Sequence, residues 1–405
     1  MRTRPLVAAL SLSLAACSST LMAVPEDGRA PDAIATDAST IDVLAPDAPS
    51  TDTISADASA PDVVARDVSS PDVTAPDVAA PDIVEPDVVE PDVVAPDVSG
   101  PPDASARDLS SMGPYRVALW TGAITGTEGG ARVFYPMSAG AERFPLVAFA
   151  HGFQLAVNNY DRLLAHIASW GYVVASVNYP GTLLSVDHRN VGAALTATRR
   201  AFEGGGPMGF PAPASVDAAR AVAMGHSLGG KGAIMALLDD AAFVAGLALD
   251  PVDDNPSPLG RITDATPSLA PERMPMLRRP LGLFGATQSR CVSFGTACAP
   301  ESGDYRQFAA AAPAGATLAI WPLRDFGHMN FVDPGCGLIC NTCANGASPL
   351  DSRLAALREL SVSFLERFTR GDTSVDGAIR GARRDALVRA GVLWDGTAAT
   401  LPACR

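Results

Sequence analysis

Residues 221–238 read AVAMGHSLGGKGAIMALL. The apolar run Ala221–Met224 has the length and composition of a buried strand, and the apolar stretch after Gly230 has those of a helix. Between them Gly225-His226-Ser227-Leu228-Gly229-Gly230 forms the pattern G-x-S-x-G at a strand-to-helix turn. Such a turn is crowded. Glycines at 225 and 229 let the backbone pack closely, while Ser227 projects its hydroxyl and the Leu228 amide, opening a helix, is free to donate to a developing negative charge. The same alternation runs outward in both directions. Strands are expected at Arg132–Tyr135, Leu146–Ala150, Tyr172–Asn178, Ala221–Met224, Val244–Leu249, Leu281–Phe284 and Thr317–Trp321, and helices at Asn159–Trp170, Val186–Phe202, Leu228–Leu238 and Pro349–Phe368. Apolar strands alternating with helix-length segments indicate an α/β class with a mostly parallel central sheet and helices on both faces.

A serine at this turn is the nucleophile elbow of the α/β-hydrolase fold, in which the acid and then the histidine follow in chain order. The chain has five histidines, and of these only His328 lies beyond Ser227. It stands in Asp325-Phe326-Gly327-His328-Met329-Asn330, after the last expected strand, and elimination makes it the general base. His166 falls in an amphipathic helix, His188 near a helix start, and His226 within the elbow. His151 opens His151-Gly152-Phe153 just after a strand, where the backbone N–H of Phe153 is placed to join that of Leu228 in an oxyanion hole. The acid has several candidates. The strand LGLF and its continuation GATQSRC carry no carboxylate; Glu301 and Asp304 follow later. The preceding strand ends in Leu249-Asp250-Pro251-Val252-Asp253-Asp254, which puts Asp250 at the strand's C-terminal end, where such sheets present their chemistry. Asp250 is preferred, with Asp304 and Asp253 as alternatives.

The stretch FPLVAFAHGFQLAVNNYDRLLAHIASWGYVVASVNY, with HGF, Tyr160 and HIASWGYVV, resembles the chlorophyllase-like α/β-hydrolases. The likeness continues through GHSLGGK, LDPVD and GHMNFVD followed by CxxCANG, over roughly residues 130–370. It implies a catalytic triad of Ser227, Asp250 and His328. Leucine at 228, where plant members often carry arginine, is a departure. The resemblance implies ester hydrolysis and leaves the ester open: chlorophyllases cleave the phytyl ester of chlorophyll, whereas cutinase-like and polyester hydrolases of the same branch share elbows of the form G-[HW]-S-[ML]-G-G.

The composition divides the chain. The net charge of −14 is the sum of +2 in residues 1–17, −17 in 18–112 and +1 in 113–405, and none of the 24 aromatic residues precedes Tyr115. A segment with high charge and no aromatics cannot bury enough apolar surface to offset its ordering entropy. Residues 18–112 carry Asp at every fifth position from Asp32 to Asp97, commonly after Pro. That period matches neither helix nor strand, and recurrent proline favours an extended polyproline II tether of at most roughly 280 Å at about 3.1 Å per residue. Proline at nearly every repeat removes the donors a pentapeptide β-helix needs. Residues 1–17 read MRTRPLVAALSLSLAAC, two arginines before a short apolar run ending in Leu14-Ala15-Ala16-Cys17, which resembles a bacterial lipoprotein signal with Cys17 as the lipidated residue. The expectation is an exported, membrane-anchored protein on the periplasmic or cell-surface side, with a monomeric hydrolase domain at 113–405. The near-neutral domain has no basic stripe for nucleic acid.

Six further cysteines, Cys291, Cys298, Cys336, Cys340, Cys343 and Cys404, form an even set, as disulfides in an exported protein require. A local Cys291–Cys298 loop is expected, with the other four joining the region after His328 to the C-terminal tail and bracing the His328 loop. Zinc is the weaker alternative, because Cys336-x3-Cys340-x2-Cys343 lacks a well-spaced fourth ligand. No cofactor is required by a serine mechanism. The long connection Pro251–Pro280 is placed to cover a pocket.

Overall fold

Unbroken apolar runs, rather than alternating ones, are what strands covered on both faces require, and they form the centre of the sheet. The computed structural model describes residues 107–138, 140–182, 185–253, 265–293 and 295–404. The signal segment with Cys17, nearly all of the expected tether, and residues 254–264 of the long connection lie outside the described residues.

The strands are β1 (Val117–Ala123), β2 (Glu128–Pro136), β3 (Phe144–Ala150), β4 (Val173–Asn178), β5 (Val216–His226), β6 (Phe243–Leu249), β7 (Leu281–Ala286), the short pair β8 (Val292–Ser293) and β9 (Thr296–Ala297), and β10 (Leu318–Leu323). Eight of them make one sheet in the order β1-β2-β4-β3-β5-β6-β7-β10. β1 and β2 pair antiparallel, β2 meets β4 antiparallel, and every pairing from β4 through β3 to β10 is parallel. The chain is an α/β-hydrolase in architecture: a mostly parallel central sheet between helical layers. One face packs on α1 (Asp161–Ser169) and α5 (Asp351–Leu365), through Leu164, Ile167, Leu357 and Leu360 against Phe149 and Val174. The other packs on α2 (His188–Glu203) and α3 (Leu228–Asp239), through Val191, Leu195 and Ile234 against Ala148 and Val173. α3 is buried from Leu228 to Leu237, which accounts for a helix that is apolar around its whole circumference.

All seven expected strands and four expected helices are present, most with ends shifted by one or two residues. β1 is unanticipated. It is a half-exposed edge strand, and its core sequence, LWTGA, is neither continuously apolar nor regularly alternating. Short helices α4 (Tyr305–Ala311), α6 (Asp376–Ile379) and α7 (Ala382–Arg389) also lack a readable apolar face. Described residues N-terminal to 113 also pack on the domain. Leu109 is buried, the carbonyls of Leu109, Ser110 and Ser111 accept from His166 Nε2, Arg358 Nε and Trp170 Nε1, and Arg107 pairs with Glu366 and Asp372.

The cysteine pairing differs from expectation. The bridges are Cys291–Cys404, Cys298–Cys343 and Cys336–Cys340. Cys291 and Cys298 are not joined to each other because their segment lies between two others. On one side the C-terminal tail is held by Gln288 Nε2 on the Ala403 carbonyl and Arg290 on that of Pro402. On the other runs the chain that follows His328. Each cysteine meets a different neighbour, while Cys336 and Cys340 pair with each other. Among the described residues no helix is long and apolar enough to cross a membrane.

Candidate active site

At the C-terminal end of β5 the chain turns through Ser227, whose φ of 56° and ψ of −121° no L-residue adopts without cost. The glycines around it are required by close approach. A Cβ on Gly225 would lie 2.2 Å from the Gly229 carbonyl oxygen, and one on Gly229 would lie 2.0 Å from that of Ala150. The Ser227 amide donates to the Leu249 carbonyl at 2.9 Å, which fixes the turn against the end of β6. Ser227 is 8% exposed. Of the described non-glycine residues, those with positive φ are Gln154, Ser227, Asp250 and Asp325. One lies in each of four loops at this edge of the sheet, after β3, β5, β6 and β10, so the backbone strain gathers where the candidate side chains do.

Asp250 is the first residue after β6, and its amide donates to the Phe284 carbonyl. Its carboxylate is buried and fully engaged: Oδ1 accepts from the Ala286 amide at 2.9 Å, and Oδ2 accepts from Ser289 Oγ at 2.5 Å and from His328 Nδ1 at 2.7 Å. The acid-free segment after β7 therefore supplies donors to the carboxylate rather than a carboxylate of its own. His328, also buried, sits in a loop shaped by its neighbours. Asn330 Oδ1 accepts from the Gly327 and Gly346 amides, and a Cβ on Gly327 would come within 2.3 Å of the Ala344 carbonyl. The Cys298–Cys343 bridge closes the segment just beyond this contact.

The two alternative acids have other partners. Asp304 caps α4, accepting from the Arg306 amide and pairing with its guanidinium, although burial still raises its pKa. Asp253 lies 3.1 Å from the buried Lys231 ammonium and accepts from the amides of Leu269 and Ala270 and from Ser268 Oγ. Glu301 pairs at the surface with Arg290 and Arg306. Of the other histidines, His166 binds the Leu109 carbonyl and His188 lies buried at the start of α2; burial lowers the pKa of each to about 4. His151 stacks on Tyr179 and bonds Asn178 Oδ1, and burial depresses its pKa as well.

The loop after β3 brings Gly152 against the elbow: a Cβ there would lie 3.3 Å from that of Ser227. Among the described residues neither the Phe153 nor the Leu228 amide has an acceptor. A cavity of about 460 Å³ opens beside this loop, lined by Phe153, Leu155, Tyr179 and Val186 with Glu128 and Asn178 at polar positions. Sequence reasoning did not anticipate Ser289, Asn330, Lys231 or the partners of His226, which bond across more than a dozen residues of sequence or to backbone groups. Their signal is their type: a polar side chain inside or beside an apolar run has a partner somewhere.

The Chlorophyllase family model matches residues 125–388. The chain is similar to the chloroplastic Chlorophyllase-1 of Citrus sinensis, 27% identical over 248 residues that span 58% of this chain and 71% of the relative. Chlorophyllase-1 of Arabidopsis thaliana is 26% identical over 253 residues, 58% of this chain and 74% of the relative. A bis(hydroxyethyl) terephthalate hydrolase of Streptomyces coelicolor is 30% identical over 155 residues, 38% of this chain and 48% of the relative. The family match covers well over half of the chain and takes in the elbow, the β6 and β7 ends and the His328 loop, so the protein belongs to the chlorophyllase family of α/β-hydrolases.

Proposed function

We propose that the protein is a serine carboxylic-ester hydrolase acting on an apolar acyl or alkyl ester outside the cytoplasm, carried on a lipid-anchored tether. The observation that carries the reading is the bond from His328 Nδ1 to Asp250 Oδ2 at the same sheet edge as the strained Ser227. A carboxylate on Nδ1 selects the tautomer whose Nε2 lone pair is free to act as base. In the mechanism Ser227 Oγ attacks the ester carbonyl carbon while His328 Nε2 takes the hydroxyl proton. The Phe153 and Leu228 amides stabilise the tetrahedral oxyanion, whose collapse breaks the C–O bond and expels the alcohol with the proton returned by His328. Water, deprotonated by the same nitrogen, then hydrolyses the acyl-serine. The names of the similar proteins, a chlorophyllase and a terephthalate-ester hydrolase, both favour esters, and the disulfides favour an oxidising compartment.

The experiment is a matched profile of p-nitrophenyl acyl esters and the corresponding anilides, from short to medium acyl chains. Turnover of the esters, with the anilides slower by at least about 10³, is the expected result, since esters carry the better leaving group for a serine mechanism of this kind. Faster anilide turnover would assign an amidase, and turnover of neither a binding protein on the hydrolase fold.

A further inference from the structure

His226 is completely buried between the nucleophile and two other loops, and its ring nitrogens have different partners. Nε2 lies 3.0 Å from the His328 carbonyl oxygen and Nδ1 lies 2.8 Å from the Tyr160 hydroxyl. A carbonyl oxygen can only accept, so Nε2 carries a proton. Burial holds the ring neutral, with a pKa well below its ordinary value. Nδ1 is then an acceptor and the Tyr160 hydroxyl donates to it. The phenol oxygen, its proton committed, accepts the Gly152 amide at 3.0 Å. The hydrogen bonds thus run in one direction: Gly152 N–H to Tyr160, Tyr160 O–H to His226, His226 N–H to the His328 carbonyl.

Both ends of this chain hold backbone, one in the loop after β3 and one in the loop after β10. Gly152 immediately precedes Phe153, and His328 is the proposed base. The packing is tight. A Cβ on Gly152 would stand 3.2 Å from His226 Nδ1, the His226 and His328 ring centres are 4.6 Å apart, and Tyr160 packs on Phe149 at 4.7 Å. Tyr160 is as fully buried as His226. A buried donor or acceptor that loses its partner there has no ready replacement from water.

We propose that Tyr160 and His226 are positioning residues that set the spacing between the oxyanion loop and the histidine loop, acting through the Gly152 amide and the His328 carbonyl. The inference rests on the esterase reading above. It differs from simple packing because it depends on polarity: one donor and one acceptor must face opposite ways at position 226. Glutamine can reproduce that arrangement, with its amide nitrogen toward His328 and its oxygen toward Tyr160; leucine has similar bulk and neither group.

The test is steady-state hydrolysis of a p-nitrophenyl ester by the full chain and its variants. Tyr160→Phe removes one oxygen atom and is expected to lower kcat about tenfold with KM within about twofold, the loss a misplaced pair of transition-state groups produces. His226→Leu is expected to lose at least as much, His226→Gln to stay within about threefold of wild type, and Tyr160→Phe/His226→Leu to fall no further than His226→Leu alone, as members of one chain do. A Tyr160→Phe kcat within about twofold of wild type, or equal losses in His226→Gln and His226→Leu, would overturn the inference. If His226→Leu does not fold, Tyr160→Phe and His226→Gln decide it alone. A wild-type protein inactive on the ester takes down the esterase reading itself, which is a different result from an active wild type with indifferent variants.

Discussion

Asparagine in place of Asp250 is expected to lower kcat about 10⁴-fold while leaving KM within a few-fold. The reason is in the donors around the carboxylate. The Ala286 amide, fixed in the backbone, must face an acceptor, so the asparagine oxygen would take the place of Oδ1. Its NH₂ would then face Ser289 and His328, both of which now donate to Oδ2. His328 would turn its Nδ1 lone pair to that NH₂ and carry its proton on Nε2, where it could no longer accept one from Ser227. The fold should tolerate the change, because the side chain keeps its volume. Asp304→Asn is the matched control. It weakens a helix cap and an Arg306 pair, and kcat is expected to stay within about threefold. A larger loss in Asp304→Asn than in Asp250→Asn would move the acid to residue 304.

Lys231→Met is expected to cost about 3 kcal/mol or more of stability, measured by denaturant unfolding. Lys231 is the one lysine in the chain and is completely buried in α3, four residues after Ser227. Its ammonium donates to the Asp253 carbonyl at 2.6 Å and lies 3.1 Å from Asp253 Oδ1. Asp253 in turn receives Ser268 Oγ and the Leu269 and Ala270 amides, so one carboxylate ties α3 to both described ends of the connection that follows β6. Methionine keeps most of the stem and removes the charge, which leaves the buried Asp253 side chain without its cationic partner. Lys231→Met/Asp253→Asn should therefore cost less than the sum of the single changes. Strict additivity would show that the two groups do not act as a pair.

Two readable parts of this site, the elbow and Asp250, share a cause: each is fixed by local backbone geometry. The Gly225–Gly229 spacing follows from the close approach of three main-chain segments, and Asp250 stands directly after the end of β6. His328 is legible for a different reason: it is the one histidine beyond Ser227 in the sequence. What escaped the sequence depends on contacts that local patterns do not encode. Tyr160 meets His226 across the sheet edge, Ser289 reaches Asp250 from the turn after β7, and the cysteines pair by which segments lie side by side, so that Cys291 finds Cys404, 113 residues further on. β1 was missed for a related reason: an edge strand half open to solvent is held by its ladder with β2, and its side chains need follow no strict period.

The central claim, a Ser227 nucleophile activated by His328, is tested most directly by covalent labelling. The purified protein is treated with a fluorophosphonate probe and digested, and the modified residue is located by mass spectrometry. The predicted result is one stoichiometric adduct on the peptide bearing Ser227, formed at a rate that falls by at least about 10³ in His328→Ala. An adduct on another residue, or no adduct on a protein that still hydrolyses esters, would contradict it.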